Sequence, residues 1–432
     1  MNKFLAKTLQ GDRVVWIIFA LLFGISMVEM FSASSYLVHL TGSVHYTILR
    51  HLMFFAIGFM GMMIVQMIDF KYIKLLGYAG LAFSWGLLVL TMFIGTEQAG
   101  AARWIEIGGF QFQPSEVAKL SLIIVIADQV ERLQNVEKQN KYFWYVIIAI
   151  LLTCGMIFTE NFSTAAILFV ITMTMMWIGE INWKRLAIVV GSIVAAVMLI
   201  LFIAWKIPDD IYYNSENLVL RKLERAKTWV ARIENFFEAD AETVSKFKIK
   251  ADGSNFQENH AQMAVARGGF IPHGPGTSME RNYLPEAFSD FIFAIIVEEL
   301  SVWMGLFVIG LYLCLLFRAG RVARQSDSLF CAILVIGITM LIVLQAFIHI
   351  GVSVHLGPVT GQPLPLISRG GTSVLVNCVY FGLIISVTRH IQSQRLQKEM
   401  VGAAAVVAES TETNIEQTNS LETEMVEEVK DI

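Results

Sequence analysis

Residues 328–350 read SLFCAILVIGITMLIVLQAFIHI, a run with no Asp, Glu, Lys or Arg. A helix rises about 1.5 Å per residue, so a run of this length reaches across a hydrocarbon core of about 30 Å. A chain inside lipid must satisfy its backbone hydrogen bonds internally, and an isolated apolar run does that as a helix. The same ruler marks nine further runs, near 14–36, 48–68, 73–95, 116–131, 143–158, 164–179, 186–205, 290–317 and 373–388. The fold class is therefore all-α, a polytopic bundle of about ten transmembrane helices.

Composition agrees. Hydrophobic residues make up 56% of the 432, only 16% are charged, and mean hydropathy is +0.61. Those values exclude an ordinary soluble domain. The net charge of −4 is less informative than its distribution, because an acidic tail carries much of the negative charge. Cys154, Cys314, Cys331 and Cys378 all lie in apolar runs, which argues against a disulfide framework. The first run follows Lys3, Lys7 and Arg13, but it is too long for a cleaved signal peptide and nine more spans follow.

Basic residues set the orientation. Lys3, Lys7, Arg13, Lys71, Lys74, Arg132, Lys138, Lys141, Lys184, Arg185, Arg318, Arg321 and Arg324 fall on the side of the N-terminus. Only Arg50, Arg103, Lys119 and Arg369 fall in the short segments of the other side. The positive-inside rule then places both termini in the cytoplasm and the 206–289 loop outside. The organisation expected is a cytoplasmic N-terminus over 1–13, a membrane domain over 14–389 and a disordered acidic tail over 390–432.

The long loop has two halves. In LVLRKLERAKTWVARIENFF (218–237), Val219, Leu223, Ala226, Val230, Ile233 and Phe237 recur at spacings of three and four among Arg221, Lys222, Arg225, Lys227 and Arg232. That pattern predicts an amphipathic helix on the outer interface or packed on the bundle, its basic residues free to meet phosphate. The second half, ARGGFIPHGPGTSMERNYLPE (266–286), is irregular backbone, and no Gly-Lys-Ser/Thr follows its glycines, so nucleotide binding has no support. No internal repeat supports an inverted-repeat transporter.

Three stretches place chemistry beside the spans. In RWIEIGGFQFQPSEVAKL (103–120), Pro114 and Ser115 start a helix, Glu116 suits its first turn, and Glu116 and Lys119 can neutralise each other on one face. In LPEAFSDFIFAIIVEEL (284–300), Glu286 reads as a helix-start acid and Asp290 as a general-base candidate one turn deeper. Glu298 and Glu299 then fall where an ionised group must face the protein interior and find cationic partners. In FIHIGVSVHLGPVTGQPLPLISRGGTS (347–373), Pro358, Pro363 and Pro365 with Gly357, Gly361, Gly370 and Gly371 make a loop that re-enters or caps the bundle. His349 and His355 are six apart and point to different faces, so no protein-built metal site is expected.

These three segments, in order and in register, resemble the signatures of the SEDS family of polytopic peptidoglycan glycosyltransferases, over roughly residues 10–390. The resemblance implies an inverting glycosyltransferase that polymerises lipid II on the outer face of the cytoplasmic membrane. It puts the essential acid of the family on Asp290, as general base toward the acceptor sugar hydroxyl. Candidate substrate-binding residues are Arg103, Glu116, Lys119, Ser278, Glu286 and Arg369. Arg225 is added for its charge on the outer loop. Undecaprenyl pyrophosphate would leave, so a divalent cation, Mg2+ or Mn2+, is a possible companion of the lipid.

A class B penicillin-binding protein is the partner the resemblance implies. The segments FSASS (31–35) and GPGTS (274–278) favour the division-type branch, which would join the septal machinery, over the elongation-type branch. A lipid II flippase and a noncatalytic division scaffold are the alternatives. The chain also departs from the family pattern. ENFST (160–164) has Asn161 where an acid is usual, His349 replaces an Asn, and SRGG (368–371) adds Arg369.

Overall fold

The structure, a computed structural model, describes residues 10–41, 44–98, 101–107, 110–134, 139–206, 226–232, 234, 256–284, 287–369 and 371–430. Its helices are α1 (Arg13–Thr41), α2 (Val44–Val65), α3 (Phe70–Ile94), α4 (Pro114–Leu133), α5 (Gln139–Phe158), α6 (Phe162–Ile178) and α7 (Trp183–Lys206). After the long loop come α8 (Phe256–Arg267), α9 (Ile292–Leu300), α10 (Val302–Arg324), α11 (Leu329–Ser353) and α12 (Gly371–Lys430). Among the described residues, seven helices are long and apolar enough to cross a membrane: α1 to α3, α7, and α10 to α12. Two more, Tyr142–Phe158 and Phe162–Ile178, are apolar but shorter. The tenth expected span, α4, carries Glu116, Lys119, Asp128, Glu131 and Arg132, and its placement explains why it can.

α4 and α11 form the centre of the bundle. Leu122, Ile123, Ile126, Ala127 and Val130 of α4, and Ile333, Leu334, Val335, Ile338, Leu341, Ile342 and Ala346 of α11, are all completely buried. A helix surrounded by protein can carry charge provided each charge is answered. At the α4 N-terminus Lys119 Nζ lies 2.8 Å from Glu116 Oε1, both side chains buried. At its other end Asp128 takes Lys74 at 2.9 Å, Arg132 at 2.8 Å and the Tyr78 hydroxyl at 2.8 Å. α2 lies along α12, and the approach is close enough that a Cβ added at Gly382 would sit 2.9 Å from the Met62 carbonyl.

Three expectations change. The span placed at 290–317 is two helices: the backbone turns at Ser301, whose φ of +82° ends α9 and starts α10, so the membrane-length helix is Val302–Arg324. Glu298 and Glu299 consequently sit on a short helix at the mouth of the bundle rather than deep within a span. The loop before α4 is a small antiparallel sheet, β1 (Thr96–Gln98), β2 (Ala101–Ile107) and β3 (Phe110–Phe112), with Ile105 opposite Phe112 and Thr96 opposite Trp104. Its alternation of apolar and polar residues suits a strand. The tail, expected to be disordered, continues α12 as helical backbone to Lys430. It holds no Pro, and no Gly after Gly402, while Ala and Glu favour a helix.

The sheet, the helical turn at 226–232, residues 287–291 and the 354–369 loop meet at one end of the bundle, linked by Arg103 to Glu160, Arg232 to Val359 and Ser368 to Ser289. Of the expected amphipathic helix, 226–232 is helical within the described residues. Trp229 packs on Phe158 at 5.0 Å and Phe162 at 4.9 Å between ring centroids, so its apolar face meets protein.

Candidate active site

Asp290 lies in the turn that leads into α9, and segments from three directions hold it. The Ser289 hydroxyl donates to Asp290 Oδ1 at 3.0 Å. From the 354–370 loop, the Ser368 hydroxyl donates to the Ser289 carbonyl at 2.8 Å and the Arg369 amide to the Phe288 carbonyl at 2.9 Å. Pro365 of the same loop is fixed by the buried Tyr312 hydroxyl, which donates to its carbonyl at 2.6 Å. Gly361 lies directly over the carboxylate. Its φ is +62°, a region side chains avoid, and a Cβ added there would be 3.3 Å from Asp290 Oδ2.

Electrostatics single this carboxylate out. Burial pushes the Asp290 carboxyl above the usual carboxylate range, while the Ser289 hydroxyl and the positive charges of Arg103 and Arg232 pull it back. Arg103 projects from β2 and its Nε donates to the Glu160 carbonyl at 2.8 Å, tying the sheet to the start of α6. Arg232 reaches from the helical turn, its Nη1 donating to the Val359 carbonyl at 3.0 Å. A half-buried carboxylate under the positive field of two arginines can take a proton from a substrate hydroxyl while the arginines favour an anionic group nearby.

The expected site residues divide. Asp290 and Arg103 come together, and Arg369 joins them through its backbone, with its side chain exposed. Glu116 and Lys119 are committed to each other. Ser278 is turned inward: its hydroxyl bonds the Glu298 carboxylate, its amide donates to Glu299 Oε1 at 3.1 Å, and only 4% of it is exposed. Glu286 and Arg225 lie outside the described residues.

Glu298 and Glu299 organise the neighbouring loop. Glu299 accepts from the Ser32 hydroxyl at 2.7 Å and from the amides of Gly276 at 2.9 Å and Ser278 at 3.1 Å, with Arg281 3.7 Å away. Glu298 accepts from the Met279 amide at 3.1 Å, and Arg267 stands 4.0 Å away. The cationic partners expected for these acids are present, but backbone amides are nearer. Glu280 completes the knot with His260 at 2.5 Å and Arg267 at 2.8 Å.

Sequence reading named Arg232 only within its helix and passed over Gln362. The signal for Arg232 was its basic, amphipathic context. Gln362 gave none, because its partners are brought to it by the fold. Among the described residues no three His, Cys, Asp or Glu side chains converge as metal ligands.

Comparison with known proteins places this geometry. Residues 12–393 match the family described as "Cell cycle protein" that spans FtsW, RodA and SpoVE. A "Probable peptidoglycan glycosyltransferase FtsW" of Pseudomonas fluorescens SBW25 is 29% identical over 389 residues, 88% of each chain. The protein of the same name from Taylorella equigenitalis MCE9 is 30% identical over 79% of this chain and 88% of its own. That from Thiomonas intermedia K12 is 32% identical over 69% and 68%. A chain from the solved structure described as "Structural coordination of polymerization and crosslinking by a peptidoglycan synthase complex" superposes with a TM-score of 0.65 at 20% identity. It covers 89% of this chain and 99% of that one. The rod-shape-determining protein RodA of Thermus thermophilus gives 0.59 at 20% identity, over 88% and 97%. These two likenesses establish the shared fold.

Proposed function

Because this chain belongs to the FtsW, RodA and SpoVE family of cell cycle proteins, we propose that it is a peptidoglycan glycosyltransferase that polymerises lipid II during septal synthesis. Its relatives carry the name peptidoglycan glycosyltransferase FtsW, and its helices make it a multi-pass membrane protein. The bacterial cytoplasmic membrane is its setting, with both termini inside and the Asp290 face outside, in keeping with the bias of Lys and Arg.

The observation that carries the reading is the Asp290 carboxylate held beneath Gly361 by the loop that follows α11, with the positive charges of Arg103 and Arg232 acting on it. The acceptor's 4-hydroxyl oxygen attacks the anomeric carbon of the donor, and the carboxylate of Asp290 takes the hydroxyl proton. As the new carbon–oxygen bond forms, the bond to pyrophosphate breaks on the opposite face and undecaprenyl pyrophosphate leaves, inverting the anomeric centre. A carboxyl raised above its usual range is a better base than a solvated one. Arg103 and Arg232 stabilise the charge that develops on the leaving phosphate. Mg2+ or Mn2+ would enter with the pyrophosphate as part of the substrate, since the protein's own donors here are one carboxylate and two cations. A class B penicillin-binding protein is the partner that would cross-link the strands, and other septal proteins would assemble around the pair. The relative described as a peptidoglycan synthase complex supports such a pairing.

The test is reconstitution. Purified protein with its transpeptidase partner and lipid II yields glycan strands if the reading holds. Translocation of the lipid without strands would replace it with a flippase, and neither activity would leave a scaffold.

A further inference from the structure

Behind Asp290 runs a line of buried hydrogen bonds that no part of the chemistry above uses. His349, on α11 and 1% exposed, has Nδ1 2.8 Å from the Gln362 carbonyl oxygen and Nε2 3.4 Å from the Phe293 amide nitrogen. A carbonyl can only accept and an amide N–H can only donate, so both contacts hold together in one form alone: the neutral imidazole with its proton on Nδ1. Phe293 stands in the first turn of α9, where amides lack helical partners, and the cap residue Phe291 supplies no side-chain bond. The imidazole therefore answers that turn from another helix.

Gln362 continues the line. Its Nε2 donates to the Thr164 hydroxyl at 2.9 Å and lies 3.5 Å from Asn161 Oδ1, which itself caps α6 by accepting from the Thr164 amide at 3.1 Å. Gln362 is 3% exposed, and its neighbour in sequence is Gly361, the residue seated on the Asp290 carboxylate. The two boundaries of Asp290, the start of α9 below and Gly361 above, are thus both referenced to one imidazole.

We infer that His349 and Gln362 are positioning residues that fix the Asp290 carboxylate by tying the first turn of α9 and the Gly361 backbone to the N-terminus of α6. The inference rests on Asp290 being the base. Base catalysis demands placement, and a misplacement of about 1 Å can cost about 10²-fold in rate. Neither side chain need touch substrate, so binding should survive their loss.

The experiment is steady-state strand synthesis by the purified full chain with its partner, comparing wild type with His349→Ala, His349→Asn, Gln362→Met and the double variant His349→Ala/Gln362→Met. Folded protein is quantified by thermal unfolding. Strand synthesis by wild type is the first readout, and its absence would overturn the functional reading itself. Given wild-type activity, His349→Ala lowers kcat about 10²-fold with KM within about twofold, the signature of a lost transition-state interaction. His349→Asn, which carries one donor and one acceptor, recovers most of the rate. Gln362→Met, of similar volume but without the amide, loses about 10-fold, and the double variant is no worse than His349→Ala because the two act as a unit. Unchanged kcat per folded molecule, a loss confined to KM, multiplicative losses in the double variant, or His349→Asn as poor as His349→Ala would each overturn the inference.

Discussion

Glu299→Gln is the sharpest perturbation of the loop that flanks the site. The wild-type carboxylate is fully buried and accepts three hydrogen bonds, from Ser32, Gly276 and Ser278, opposite Arg281 at 3.7 Å. A glutamine of the same shape has one acceptor oxygen. Placed to keep Ser32 and Ser278 on Oε1, it turns its amino group toward the Gly276 amide, donor against donor. One charge-assisted bond is lost, about 1.5–3 kcal/mol, and a buried donor is left unmet, about 1–3 kcal/mol. Arg281 also loses its counter-charge, which places the whole near the 3–5 kcal/mol typical of a broken buried pair. That energy is lost first by the 273–281 loop, which hangs from Glu298 and Glu299 and has little apolar packing of its own. Limited proteolysis of purified protein in detergent should show cleavage within 268–284 at least about 100-fold faster, the rate change about 3 kcal/mol would give if cleavage follows local opening. Cleavage within about threefold of wild type would refute the assignment of Glu299 as the anchor.

Other consequences follow from the same contacts. Lys119→Met leaves Glu116 buried without its partner and should destabilise the bundle by about 3–5 kcal/mol, while Glu116→Gln/Lys119→Met should recover most of the loss; thermal unfolding of the pair decides, and equal stability of both would contradict a buried ion pair. Asp290 must be ionised to act, so activity falls as pH drops through its raised pKa. Each arginine holds that pKa down, so Arg103→Ala and Arg232→Ala should move the acid limb of kcat/KM to higher pH, and an unmoved or lowered limb would remove them from the site. Gly361→Ala places a Cβ 3.3 Å from Asp290 Oδ2 at φ +62°, with a backbone cost of about 1–2 kcal/mol. Its kcat should fall at least about 10-fold with the fold retained, and wild-type kcat would show that the loop does not bear on Asp290.

How much of this was legible beforehand depends on the scale of the signal. The spans are read from runs of about twenty apolar residues, and nine of the ten appear as helices that start within a few residues of where hydropathy puts them, although α12 continues to Lys430, far beyond the apolar run. The eighth failed because Ser301 looks like any polar residue in an apolar run. Only backbone packing forces its positive φ and splits α9 from α10. The Glu116–Lys119 pair was legible because i,i+3 spacing is local. Asp290 was marked by an acid at a helix start and by its motif. The inward bonding of Ser278 was not legible, because its partners Glu298 and Glu299 lie twenty residues on and meet it only in the fold. Arg232 and Gln362 share that difficulty: their partners are 127 and 198 residues away in sequence.

The central claim is that Asp290 takes the proton from the acceptor hydroxyl. The measurement that tests it most directly is strand synthesis from lipid II by wild type and Asp290→Asn, each with the partner transpeptidase and each shown to bind lipid II. The asparagine keeps the shape of the carboxylate and cannot accept the proton. The account predicts equal lipid II binding with strand formation reduced at least about 10²-fold in Asp290→Asn. Strand formation by Asp290→Asn at the wild-type rate would contradict it.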